Sequence, residues 1–133
     1  TDVIIRAYRV VGFDLQKLVH EDMRANFSAY PRTWGLRRPD RNIDHRRVPN
    51  LETFLRRQGA RLAPTREGRD YQTGDLVSWR LAGSGLPHIG MVERTTENSR
   101  PLIIHNIGWG VRVEDVLFQH RIVDRFRWRP HQP

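Results

Sequence analysis

Cysteine is absent from this chain. That excludes disulfides and thiolate-bound metals within it, though it does not fix a compartment. Lysine is nearly absent as well. Of 23 basic residues only Lys17 is lysine; the rest are arginine, whose planar fork grips carboxylates and phosphates. Nowhere do 18 apolar residues run together, so nothing reads as a membrane span. No leader with a basic start and an apolar middle is visible. The chain opens abruptly on Thr1-Asp2 and an apolar helix, as a fragment lacking its upstream part would, so the missing leader says little about export.

What is present fits one compact α+β domain over residues 1–133, with a modest core. Mean hydropathy is −0.67, polar for a globular chain. Four Trp, five Phe and three Tyr nevertheless supply large core pieces. The net charge of +8 has two readings: a solvated arginine surface, or an anionic partner such as nucleic acid, acidic lipid or an acidic wall polymer. The arginines are spread along the whole length rather than gathered in one tail. The aromatic residues are not arrayed along strands as stacking platforms, which disfavours nucleic acid.

Thr1 or Asp2 can cap a helix running to about Val11, with Ile4, Ala7, Tyr8 and Val11 at helical spacing. Asp14 caps a second, with Leu15, Leu18, Val19, Met23 and Phe27 on one side, stopped by Tyr30-Pro31. Residues 31–48 lack periodicity and carry many arginines, the pattern of a functional loop. Asn50 is expected to cap a short helix ended by Gly59. Strands are expected near 60–63, 76–82, 88–94, 102–106 and 120–128, with a turn of helix over 114–118. Helices come first and an antiparallel sheet second.

Two histidines stand out. His88 opens one strand and His105 closes the next. In an antiparallel hairpin those ends lie side by side, which suits a general base and the group that fixes its tautomer. Gly90 falls on the face of His88 and leaves space beside the imidazole. Asn106 competes with His105 for the third role. Side chains alternate faces, so the register decides: an odd sum of paired residue numbers puts His105 beside His88, an even sum puts Asn106 there.

The stretches Gly74-Asp75-Leu76-Val77, His88-Ile89-Gly90-Met91-Val92 and Ile104-His105 resemble the core of NlpC-type cell-wall cysteine peptidases. A closer resemblance covers nearly the whole chain. Thr1 to Arg9, His20-Glu21-Asp22-Met23, Tyr30-Pro31, Trp34-Gly35-Leu36, Asn42 to Leu51 and His105-Asn106-Ile107-Gly108 are similar to the YijF-type bacterial domain of unknown function. The resemblance implies a papain-like fold, helices packed on an antiparallel sheet, with a nucleophilic Cys directly before the Thr-Asp pair. It further implies His88 as base, His105 as orienting residue, and a periplasmic or secreted amidase or peptidase acting on peptidoglycan peptides. As written, the chain cannot perform thiol chemistry. A thiol at the tip of the first helix would feel the helix dipole and free N–H groups, both of which lower its pKa.

Other features allow two readings each. Asp44, Arg46 and Arg47 either pin the long loop by salt bridges or bind carboxylates of a substrate peptide. Trp109, between two glycines just past His105, can wall a cleft beside the histidines. Thr1 is either a simple cap or an N-terminal nucleophile. No metal or cofactor is expected: His20-Glu21-Asp22 and Asp44-His45 fit no zinc spacing, and His20 is expected to face solvent. A non-catalytic arginine-rich module holding an anionic polymer is the alternative to the enzyme.

Overall fold

The computed structural model describes residues 1–31, 38–107 and 110–130. Three helices are followed by a six-stranded antiparallel sheet. Helix α1 spans Asp2–Val10. The Thr1 carbonyl accepts from the N–H groups of Ile4 and Ile5 at 3.0 and 3.1 Å, and Asp2 in the first turn pairs with Arg6. Ile4, Ile5 and Tyr8 face inward. Helix α2 spans Leu15–Ala25 and is capped by Asp14, whose side chain accepts from the Lys17 N–H. It stops at Asn26, whose backbone N–H makes the last helical bond to the Asp22 carbonyl at 2.8 Å and whose side chain also donates to the Asp22 carboxylate at 3.1 Å. Phe27–Ala29 then forms one 3₁₀ turn.

Helix α3 spans Val48–Arg57 and begins earlier than the expected cap at Asn50. Pro49 sits in its first turn, where a missing N–H costs nothing. Asn50 is buried and donates to the Asp44 carbonyl at 3.1 Å. Gly59, at φ 73, closes the helix in the left-handed region.

The strands are β1 Arg61–Leu62, β2 Leu76–Arg80, β3 Pro87–Thr95, β4 Pro101–Ile107, β5 Gly110–Glu114 and β6 Arg121–Phe126, in the order β1-β6-β2-β3-β4-β5. β5 ends at Glu114 and was not expected; the helical turn expected over 114–118 is instead a bend followed by a turn in which the Gln119 N–H donates to the Val116 carbonyl at 3.0 Å. Val111 and Val113 of β5 are exposed, because this edge strand pairs only with β4, so its alternation lacks the burial cue that marks an inner strand.

The sheet separates two cores. Leu76, Ile89 and Phe126 meet Ile4, Ile5, Leu15, Val19, Met23, Leu51, Phe54 and Leu55 on the helical side. Val77, Trp79, Val92 and Ile103 meet Tyr71 and Leu117 on the other. Buried carboxylates tie α3 to the sheet and the strands and their flanks to one another. Asp124 takes Arg56 of α3 and Arg61 of β1, the latter at 2.6 Å. Glu52 of α3 takes the Ser78 hydroxyl at 2.6 Å and Arg80 at 2.9 Å. Asp75 receives Arg127 as a two-pronged pair at 2.8 and 2.9 Å. Such charges tolerate burial only when paired. Among the described residues, no helix is long and apolar enough to cross a membrane.

Gly90 lies where β4 crosses β3. A Cβ there would stand 2.7 Å from Ile103 Cγ2, 3.2 Å from His105 Cβ and 3.2 Å from the Ile104 carbonyl oxygen. The space beside His88 is therefore filled by β4. Gly90→Ala is expected to cost about 1–3 kcal/mol through overpacking, read as a lower urea midpoint with an unchanged slope.

Candidate active site

The register of the β3–β4 hairpin settles which residue meets His88. Met91 pairs with Ile104 and Val92 with Ile103, so the paired numbers add to an odd value. His105 joins His88 on the face away from the helices, and Asn106 is exposed on the opposite face. Asn106 is thereby removed as a partner of His88.

His88 Nε2 lies 2.7 Å from His105 Nδ1. His105 Nε2 lies 2.9 Å from Glu114 Oε2. Glu114 reaches the imidazole because β5 pairs it with Ile103, one same-face position along from His105. Arg112 stands 3.7 Å from its other oxygen. On the far side, the His88 ring stacks on Trp79, its direct neighbour on β2, at 5.7 Å between centroids. Trp79 is held by its own indole N–H, which donates to the Leu117 carbonyl at 2.8 Å.

This chain of bonds has a direction. A carboxylate only accepts, so the proton between His105 and Glu114 belongs to His105 Nε2. In a neutral ring Nδ1 is then the acceptor, and His88 Nε2 must donate to it. That leaves the lone pair of neutral His88 on Nδ1. Glu114 thus dictates which nitrogen of His88 carries the lone pair. Glu114 itself is held below its ordinary carboxyl pKa, first by the hydrogen bond from His105.

His88 is depressed to about 4, chiefly by burial of the ring and then by the positive charges of His105, the Thr1 amine and His120. The amine is itself lowered by desolvation, against a smaller opposing influence from Asp2. The Thr1 amine at the tip of α1 is thus among the charges that act on His88, although the body of α1 packs on the opposite face of the sheet. The two imidazoles meet as the hairpin geometry requires.

Sequence and structure part over the substrate-binding residues. Asp44 is fully buried, accepting from the Asp40 N–H at 2.9 and 3.0 Å and facing His20 Nδ1 at 3.4 Å. His20 is thus turned inward rather than to solvent. The turn Asp44–Arg46 packs on α2 and α3, with Arg46 exposed there and Arg47 half-buried. Asp44, Arg46 and Arg47 do not line the space at the histidines; Asp44 ties the loop to His20 of α2 and, through its carbonyl, to Asn50 of α3. Trp109 lies outside the described residues. The sequence reading missed Glu114, Gln119 and His120, all of which line that space together with Trp79 and Val116. Glu114 was hidden because no strand was expected over 110–114; its alternation with Val113 and Arg112 after Gly110 is the signal that carries it.

The depressed His88 makes stability depend on pH. Its folded pKa of about 4 lies below the ordinary 6.5. Between those values the unfolded chain binds more protons, so stability falls as pH drops through that window. His45, lowered by burial and by Arg46, acts in the same sense. Urea midpoints are expected to fall from pH 7 to pH 4.5, and His88→Gln is expected to flatten that slope. An unchanged slope would place the titration elsewhere.

Comparison with known proteins gives this arrangement its family. The chain is 54% identical over 129 residues to the "Uncharacterized protein YijF" of Escherichia coli (strain K12), a match covering 96% of this chain and 62% of that protein. The chain thus spans under two thirds of its relative's length. No solved structure matches. The family model described as "Domain of unknown function (DUF1287)" matches residues 1–128, and the chain, with its hydrogen-bonded histidines on one sheet face, belongs to that bacterial family.

Proposed function

We propose that this domain is the body of a papain-like, NlpC-type cysteine amidase or peptidase, completed by a cysteine in peptide linkage before Thr1, and that it cleaves amide bonds in bacterial cell-wall peptides outside the cytoplasm. The observation that carries this reading is the directed chain Glu114–His105–His88; the Thr1 amine at the α1 tip is among the charges that act on its end. A base without a nucleophile is half of an acyl-transfer centre. The tip of a helix is where a thiol would be most acidic.

In this scheme His88 Nδ1 takes the proton of the thiol, and the thiolate attacks the carbonyl carbon. The first N–H groups of α1 have no partner within the helix and stabilise the oxyanion. His88 then passes the proton to the leaving amine. Water, deprotonated by the same nitrogen, releases the acyl group and restores the thiol. Trp79 supports the ring by stacking. A peptide bond before Thr1 turns its ammonium into an uncharged amide, removing one cause of the low His88 pKa. A neighbouring thiolate then raises it further as an ion pair.

The test restores the cysteine and follows release of soluble peptides or new amines from purified peptidoglycan. The cysteine-bearing protein is expected to release product, and His88→Ala to lower the rate by roughly 10²–10⁴-fold. Equal release by both proteins would remove His88 from the chemistry. No release at all, with wall binding retained, would leave the arginine-rich binding module.

A further inference from the structure

We infer that the cleft between the 64–66 segment and the 118–122 segment binds a carboxylate of the ligand, and that it is the acidic subsite of the histidine centre. The turn after β5 walls three spaces in succession. One is the small space of about 30 Å³ at His88, His105 and Glu114. The second is a cleft of about 480 Å³, and the third a cleft of about 560 Å³. Gln119 borders all three, and His120 borders both the histidine space and the 480 Å³ cleft. A ligand seated in either cleft therefore lies against the residues that border the histidines.

The two clefts differ in charge. In the larger, Arg100 is already matched by Asp115 at 3.1 Å. In the 480 Å³ cleft, Arg66 and Arg121 are exposed, and among the described residues neither has a recorded carboxylate partner. Among the described residues, no carboxylate lines this cleft. His120 adds a third donor. Its Nδ1 accepts from the Ala82 N–H at 2.9 Å, so the proton of the neutral ring sits on Nε2. Two guanidinium groups and an imidazole N–H with no compensating acid make a receptor for a carboxylate. Phe118, 47% exposed and held edge-on against Tyr71 at 6.1 Å, gives the same cleft an apolar wall for the adjoining aliphatic chain. This chemistry fits a short peptide bearing an acidic side chain.

The subsite's role in cleavage rests on the hydrolase reading, but carboxylate binding does not, so the two are tested apart. The protein with its natural flanking sequence is titrated by NMR with acetyl-Ala-Glu-Ala-amide and with its isosteric glutamine analogue. The glutamate peptide is expected to bind about tenfold tighter, with the largest shifts at Arg66, Phe118, Gln119 and Arg121. The double variant Arg66→Gln/Arg121→Gln is expected to bind both peptides equally. Arg24→Gln/Arg38→Gln, which removes the same charge elsewhere on the surface, is expected to keep the preference. Equal affinity for the two peptides in the unmodified protein overturns the proposal. So does a preference that survives in Arg66→Gln/Arg121→Gln or disappears equally in the charge-matched control. Binding as expected without wall hydrolysis would sink the enzyme and leave the cleft.

Discussion

The hydrogen bond between His88 and His105 is the constraint on which the site depends, and backbone geometry makes it possible. Two imidazoles reach 2.7 Å because β4 passes close to β3 at a residue without a side chain. Gly90 accepts the His105 Cβ and the Ile103 methyl group where any larger residue would push the strands apart. Register does the rest. One residue of slip would exchange His105 for Asn106 and turn the second imidazole to the helical face.

That close approach has to be held from both faces. On one, Trp79 is fixed by its bond to the Leu117 carbonyl and presents a flat surface to His88. On the other, α3 is tied to the sheet by the carboxylates of Asp124 and Glu52, each almost wholly buried and each answered by arginine. Part of the chain's large arginine content is therefore structural. Arg56, Arg61, Arg80 and Arg127 satisfy acids that would otherwise be buried alone. The unmatched arginines of the 64–66 and 118–122 segments stand out against that background.

Electrostatics at the site are graded along the hydrogen-bonded chain. Glu114 is kept ionised at one end, and His88 is kept neutral at the other by burial and neighbouring positive charge. A neutral imidazole with its free lone pair on a defined nitrogen is ready to accept a proton. The carboxylate next along holds the middle ring in the tautomer that requires this. Such a chain would serve any acyl transfer from a nucleophile at the α1 tip.

Much of this was legible in the residues themselves. Short apolar runs marked the inner strands β2, β3 and β4, and capping residues marked α1 and α2. The two histidines at adjoining strand ends were visible because antiparallel pairing is local and its geometry is fixed. The sequence could state the parity condition for His105 against Asn106 but not resolve it, since register comes from packing of both sheet faces. Glu114 was beyond it for a related reason: an edge strand with exposed valines carries no burial pattern. The loop motif Asp44-His45-Arg46-Arg47 left two readings open, because charge alone does not say whether a carboxylate is a receptor or a buried tie; burial decides for Asp44. Composition and periodicity determined an α+β domain with a paired-histidine hairpin. Only the tertiary structure, through register and edge pairing, decided which third and fourth side chains complete it.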